Sequence, residues 1–168
     1  YESDLARPSF TQQGPNDGPT SFGLNQADGV SGVAVAEGKP LLAVADAVNG
    51  RVLLFDLTAD GTPVDPCADR VLGVPDFATI GGQEISRRSI RRPQRLAFSK
   101  DGRLLFVTDD QASRVLVYDL DTGVENGIPA HLVLGQPDFN SSAVGDGSTG
   151  LNRPRGVAYD DASGRLFV

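Results

Sequence analysis

Apolar residues along the chain come in short runs of no more than four to six, each cut off by Gly, Pro, Asn or Asp. Runs of this length bounded by turn formers predict β-strands. Two successive stretches carry the same four runs. In the first they are Val33–Val35, Leu41–Asp46, Arg51–Asp56 and Arg70–Gly73, and in the second Leu96–Phe98, Leu104–Asp109, Arg114–Asp119 and Leu132–Gly135. Glu37-Gly38-Lys39-Pro40 and Lys100-Asp101-Gly102-Arg103 join the first strand to the second. Ala47-Val48-Asn49-Gly50 and Asp110-Gln111-Ala112-Ser113 join the second to the third. These are hairpin lengths, and they predict antiparallel pairing of sequential strands.

The runs repeat because the sequence repeats. LLAVADAVNGRVLLFDL (41–57) lies over LLFVTDDQASRVLVYDL (104–120) without a gap, 63 positions apart, and RVLGVPDF (70–77) over LVLGQPDF (132–139), 62 apart. RPQRLAF (92–98) falls over RPRGVAY (153–159), GRLLFV (102–107) over GRLFV (164–168), and GLN at 23–25 over GLN at 150–152. ARPSF (6–10) has the spacing of GQPDF (135–139), so the chain starts inside one unit and stops inside another. The units read as 1–22, the end of one blade and a loop; 23–89 and 90–150, two full units; and 151–168, the first two strands of a third. Four antiparallel strands per unit, several times over, describe an all-β fold, a β-propeller of four-stranded blades. Stacked solenoids use about 20–45 residues per unit and fit less well.

Composition narrows the function classes. With 20 Gly and 11 Pro in 168 residues, long helices are disfavoured, while 39% hydrophobic and 22% charged residues are ordinary for a packed domain. A net charge of −7 argues against non-specific nucleic-acid binding, and no apolar run is long enough to insert in a membrane as a helix. The chain opens on Tyr1 and contains no methionine, so a preceding segment is expected. YESDLARPSF itself has neither the basic start nor the apolar centre of a signal peptide.

At Pro154-Arg155-Gly156-Val157-Ala158, at Gly164-Arg165-Leu166-Phe167-Val168 and along Val44–Asp56, the sequence resembles the NHL-repeat propellers. Leu134-Gly135-Gln136-Pro137-Asp138-Phe139 is similar to the additional segment found in the blades of the bacterial secreted branch. Arg95 departs from the pattern where a glycine precedes the inner strand, and Ala112-Ser113 departs where asparagine is usual. The resemblance implies about six blades, on the order of 370 residues. The 168 residues then cover under three blades of a longer chain, or one piece of a nicked or multi-chain ring completed by its own remainder or another chain. It also implies a secreted, periplasmic or cell-surface location. The expected function is a non-catalytic binding or scaffold module that presents its loop face to a protein or glycan. The alternatives are part of a propeller enzyme, similar to amidating lyases or metal-dependent lactonases, with its catalytic residues mostly in other blades, or a structural subunit of an extracellular assembly.

Candidate chemistry divides into what repeats and what does not. Asp46 with Arg51 and Asp109 with Arg114 face each other across the turn between second and third strands, and recurrence in each unit marks them as architecture. Phe77 and Phe139, ending the Pro-Asp-Phe triplets, read as loop anchors. A lone histidine, His131, and a lone cysteine, Cys67, provide no zinc set and no catalytic triad, so no metal, cofactor or catalytic residue is assigned. Asn16-Asp17-Gly18, Gly145-Asp146-Gly147 and Asp160-Asp161 lack the spacing of a calcium loop and read as turns. The unrepeated feature is Arg87-Arg88-Ser89-Ile90-Arg91-Arg92-Pro93-Gln94-Arg95. Arg87, Arg88, Arg91, Arg92 and Arg95, with Arg153 and Arg155 of the next unit, form a candidate contact for an anionic group or acidic partner.

Overall fold

A computed structural model describes residues 29–64, 67–121, 123–145 and 149–168. The repeat signals at 6–10 and 23–25, Asn16-Asp17-Gly18 and Asp146-Gly147 lie outside these residues. Two four-stranded antiparallel sheets follow one another. The first runs β1 (Val30–Val35), β2 (Leu41–Asp46), β3 (Arg51–Asp56), β4 (Arg70–Leu72), in that spatial order. The second runs β5 (Pro93–Phe98), β6 (Leu104–Asp109), β7 (Arg114–Asp119), β8 (Leu132–Leu134), and a two-stranded sheet of β9 (Ala158–Asp160) and β10 (Arg165–Phe167) comes after it. The first strands of successive sheets are neighbours, β1 beside β5 and β5 beside β9, so the sheets fan out from one line as blades do.

The middle strands occupy the residues that the apolar runs mark, and the outer bounds differ for local reasons. β1 and β5 start three residues before the expected Val33 and Leu96, because bulges at Val30/Gly32 and Pro93/Leu96 carry the pairing past an irregular register. β4 and β8 stop one residue short, because Gly73 (φ 88) and Gly135 (φ 83) leave the β region. Those glycines are needed twice over. Their missing side chains make room for Ile90 and Leu151, whose side-chain atoms would stand 2.7 and 2.5 Å from an added Cβ. Each such residue precedes the next blade's first strand, so it hooks one blade to the end of the one before.

Alternation within the runs sends apolar side chains to both faces. From β2, Leu41, Ala43 and Ala45 face the second blade and meet Leu96, Leu105, Val107, Leu116 and Tyr118 in the larger core. Leu42 and Val44 face the other way, with Leu53, Phe55 and Val71. On the far side of the second blade, Phe106, Val115 and Val117 pack on Leu151, Val157, Tyr159 and Leu166, with Phe106 stacked on Tyr159 at 4.8 Å. Blades buried on both faces read as continuous apolar runs.

The recurrent charged pairs sit inside this packing. Asp46 and Arg51 are directly opposite in the β2–β3 register and fully buried, with Arg51 Nε donating to Asp46 Oδ2 at 2.7 Å. Asp109 and Arg114 repeat this between β6 and β7 at 3.1 Å, again fully buried. Arg51 Nη1 also donates to the Phe77 carbonyl (3.0 Å), and Arg114 Nη1 to the Phe139 carbonyl (2.6 Å). Arg114 further donates to the Ser86 and Ser89 carbonyls, while Asp109 accepts the Arg91 and Arg92 backbone N–H groups.

Tyr118 holds the place of Phe55, and its buried hydroxyl has no hydrogen-bond partner among the described residues. Burial pushes the phenol's pKa far above its ordinary value.

Three stability outcomes follow from this packing. Gly32→Ala would put a Cβ 2.5 Å from the Gln94 carbonyl oxygen, whereas Gly156, its counterpart, has nothing within 4 Å. Urea denaturation is expected to show a loss of about 1–3 kcal/mol for Gly32→Ala and within about 0.5 kcal/mol for Gly156→Ala. Arg114→Met strands a buried carboxylate and is expected to cost about 3–5 kcal/mol by the same measurement. Tyr118→Phe removes an unpaired hydroxyl and is expected to raise stability by up to about 1 kcal/mol, measured as a higher urea midpoint.

Candidate functional site

The arginine-rich segment leads from the first blade into β5, along the face where the β2–β3 and β6–β7 turns lie. Its backbone is pinned at several points. Besides the bonds to Asp109, the Arg92 carbonyl accepts the Asp110 N–H at 3.1 Å. Ser89 Oγ donates to the Glu84 carbonyl and accepts the Ser86 N–H. Arg95 lies in the β5 bulge, where its N–H donates to Thr108 Oγ1 at 2.8 Å. Ala45 stands at the position of Thr108 in the first blade, and Gly32 at that of Arg95. The longer side chain thus comes with a hydroxyl that satisfies the bulged backbone.

The structure divides the seven candidate arginines into groups. Arg87 donates to the Ala130 carbonyl at 3.0 Å and lies over the Phe139 ring, 5.2 Å from its centroid, while Arg88 donates to the Gly127 carbonyl at 2.6 Å. Both therefore reach toward the segment between β7 and β8. Arg153 and Arg155 converge instead on one carboxylate. Their Nε atoms stand 3.2 Å from Asp110 Oδ1 and Oδ2, and Asp110 is only 1% exposed against 53% and 68% for the two arginines. Arg91 donates its Nε to the Gly82 carbonyl at 3.3 Å. The exposed Arg92 and Arg95 meet no carboxylate among the described residues, and Arg95 Nη1 donates only to the adjoining Gln94 carbonyl.

Asp110 is the residue of this candidate site that reading residue types alone passes over. It stands in a single 3-10 turn, Asp110–Ala112, closed by a Ser113 N–H bond to the Asp110 carbonyl at 3.2 Å. The signal for it is in the repeat, since Ala47 occupies the equivalent position in the first blade. Its surroundings are specialised too. Ser113 (φ 49) and Arg153 (φ 48) are the non-glycine residues with left-handed backbone among the described ones, and the Arg153 N–H lies 3.4 Å from Ser113 Oγ. Gln136 is buried beside them and donates to the Ser113 and Ala143 carbonyls.

A cleft of about 370 Å³ opens at the equivalent junction between the first and second blades. It is lined by Ala47, Val48, Gly82, Gln83, Arg91 and Arg92, among others, and no carboxylate is in its wall among the described residues. Two arginines stand there over backbone and amide side chains, and guanidinium groups suit carboxylate and phosphate geometry.

The opposite end of the blades is acidic. Asp119 receives Arg103, whose hydrogen bonds hold its carboxyl below the usual range, and the Ser99 hydroxyl does the same for Asp101. His131 lines a cleft there with Asp101, Asp119 and Asp161. Among the described residues, no three His, Cys, Asp or Glu side chains are grouped to hold a metal ion. No described helix is long and apolar enough to cross a membrane.

No protein-family model matches the chain, and no curated protein matches it in sequence. Among solved structures it is similar to one described as the crystal structure of a nidogen/laminin complex. That likeness has 23% identity and a TM-score of 0.51, over 84% of this chain and 40% of that one. A weaker likeness, with a TM-score of 0.38 and 22% identity over 57% of this chain and 23% of the other, is to the β-propeller domain of Cps50 (Swd1) from Myceliophteria thermophila. The chain thus spans less than half of either structure that it resembles. With its four-stranded antiparallel sheets, it has the fold of part of a β-propeller.

Proposed function

We propose that the chain belongs to a non-catalytic binding or scaffold module, an NHL-type propeller exported to the periplasm, cell surface or medium. Its arginine-bearing face contacts an acidic partner, a protein in the first instance and a glycan in the second. The observation that carries this reading is the pair Arg92 and Arg95. Both are exposed on a backbone held by Asp109, Asp110 and Thr108, and neither meets a carboxylate among the described residues. Fixed backbone under guanidinium groups that pair with no carboxylate among the described residues is the arrangement of a receptor, because little order has to be gained on binding. The propeller fold is compatible with this role, and the nidogen/laminin structure is that of a protein complex. Fold alone does not decide function.

The Arg92→Ala/Arg95→Ala variant tests the reading. A partner captured from the envelope or culture medium is titrated calorimetrically against both forms. Affinity is expected to fall tenfold or more, with a melting temperature within about 2 °C of the wild type, since exposed side chains contribute little to stability. Wild-type affinity is also expected to weaken as salt rises. A variant that melts far lower yet binds unchanged would show that these arginines serve the fold.

A further inference from the structure

The repeat contains its own model of a ligand. At the junction of the second and third blades, two arginines, Arg153 and Arg155, close on the carboxylate of Asp110. At the preceding junction two arginines again line the cleft, Arg91 and Arg92, but Ala47 stands where Asp110 stands in the other turn. The two turns are alike. Gly50 N–H donates to the Ala47 carbonyl at 3.4 Å, as Ser113 N–H does to Asp110 at 3.2 Å. In the repeat Arg92 stands over Arg153, but Gln94 stands over Arg155 and Arg91 over Asn152, and Arg153 reaches its acid from a left-handed backbone that Arg92 lacks, so the correspondence is one of cleft chemistry and not of matched positions.

We propose that this cleft binds a carboxylate from outside, the side chain of a glutamate or aspartate in an acidic peptide segment, seated in the place that Asp110 fills one blade later. Resting on the reading of the arginine face as a partner contact, it names both the pocket and the group that enters it. Arg91 already gives its Nε to the Gly82 carbonyl, which orients the guanidinium and leaves its terminal N–H groups for the ligand. Arg92 uses only backbone atoms in its hydrogen bonds to Asp109 and Asp110. Val48, 56% exposed at the rim, offers apolar contact to the methylene groups of an entering glutamate. Diffuse attraction cannot substitute for the site, because the chain carries a net charge of −7 and repels an acidic peptide elsewhere.

The test supplies the carboxylate from within. Fluorescein-labelled hexaglutamate is titrated by fluorescence polarisation at low salt, with hexaglutamine as the neutral probe. Ala47→Asp is expected to lower hexaglutamate affinity tenfold or more by occupying the guanidinium groups internally. Arg103→Gln, which changes net charge by the same amount at the opposite end, is expected to bind as the wild type does. Asp110→Ala, by releasing Arg153 and Arg155, is expected to add a second binding equivalent. Should Ala47→Asp melt early, Arg91→Gln/Arg92→Gln takes its place with the same expected loss. The inference is overturned if Ala47→Asp, or the substitute pair, binds hexaglutamate undiminished, or if the wild type binds hexaglutamate no better than hexaglutamine. Either result leaves the broader reading standing provided Arg92→Ala/Arg95→Ala still weakens the captured partner, and unchanged partner affinity in that variant is what removes it.

Discussion

Each full blade is organised around one carboxylate and one guanidinium buried together where its two middle strands turn. Burying such a pair is costly unless its hydrogen-bonding capacity is used, and here it is used on the backbone of distant segments. In the second blade, Arg114 ties the hairpin to carbonyls at Ser86, Ser89 and Phe139, and Asp109 takes N–H groups from Arg91 and Arg92. The strand that enters the blade, the hairpin at its centre and the loop that leaves it therefore meet at one pair of side chains. Slipping a middle strand by one residue would part the charges and turn each apolar residue to the wrong face. The pair thus contributes register and loop placement more than net stability.

That fixed point allows the blades to be apolar on both faces. A sheet with a solvated face signals its register by alternation, but β3 and β7 are buried nearly end to end and carry no such signal. Polar markers at the strand ends do the work instead, with Asp46 and Arg51 bounding one hairpin and Asp109 and Arg114 the other. Close packing between blades then follows from small residues. Gly32 lets β1 approach the β5 backbone, and Gly73 and Gly135 receive Ile90 and Leu151.

These features explain what the sequence makes legible. The middle strands are found to the residue because an apolar run with Asp or Arg at its ends has no alternative register. Outer strands are less sharply marked. Their limits depend on bulges and on positive φ at Gly73 and Gly135, which are properties of backbone geometry. The arginines of the candidate site are plain as composition, yet their partners are not. Arg87 and Arg88 bind carbonyls at Ala130 and Gly127, which any residue type would present. Phe139 is legible in part: its ring packs against the larger core and lies under Arg87, while its carbonyl, which residue type does not announce, is held by Arg114.

Internal repetition separates the two kinds of arginine on chemical grounds. Arg51 and Arg114 recur with their acids and are fully buried, so their charge is spent inside the fold. Arg153 and Arg155 share one acid and keep more than half their surface. Arg92 faces Ala47 at the repeat position that Asp110 holds one blade later, while its backbone has bonds to Asp109 and Asp110. A side chain released from pairing on a backbone that cannot relax loses only its own rotamer freedom when a ligand arrives, about 2 kcal/mol at most. A charge-assisted bond to a carboxylate contributes about 1.5–3 kcal/mol. One such bond roughly offsets the ordering of one arginine, and the surplus comes only when two arginines close on the same carboxylate, as Arg153 and Arg155 do on Asp110.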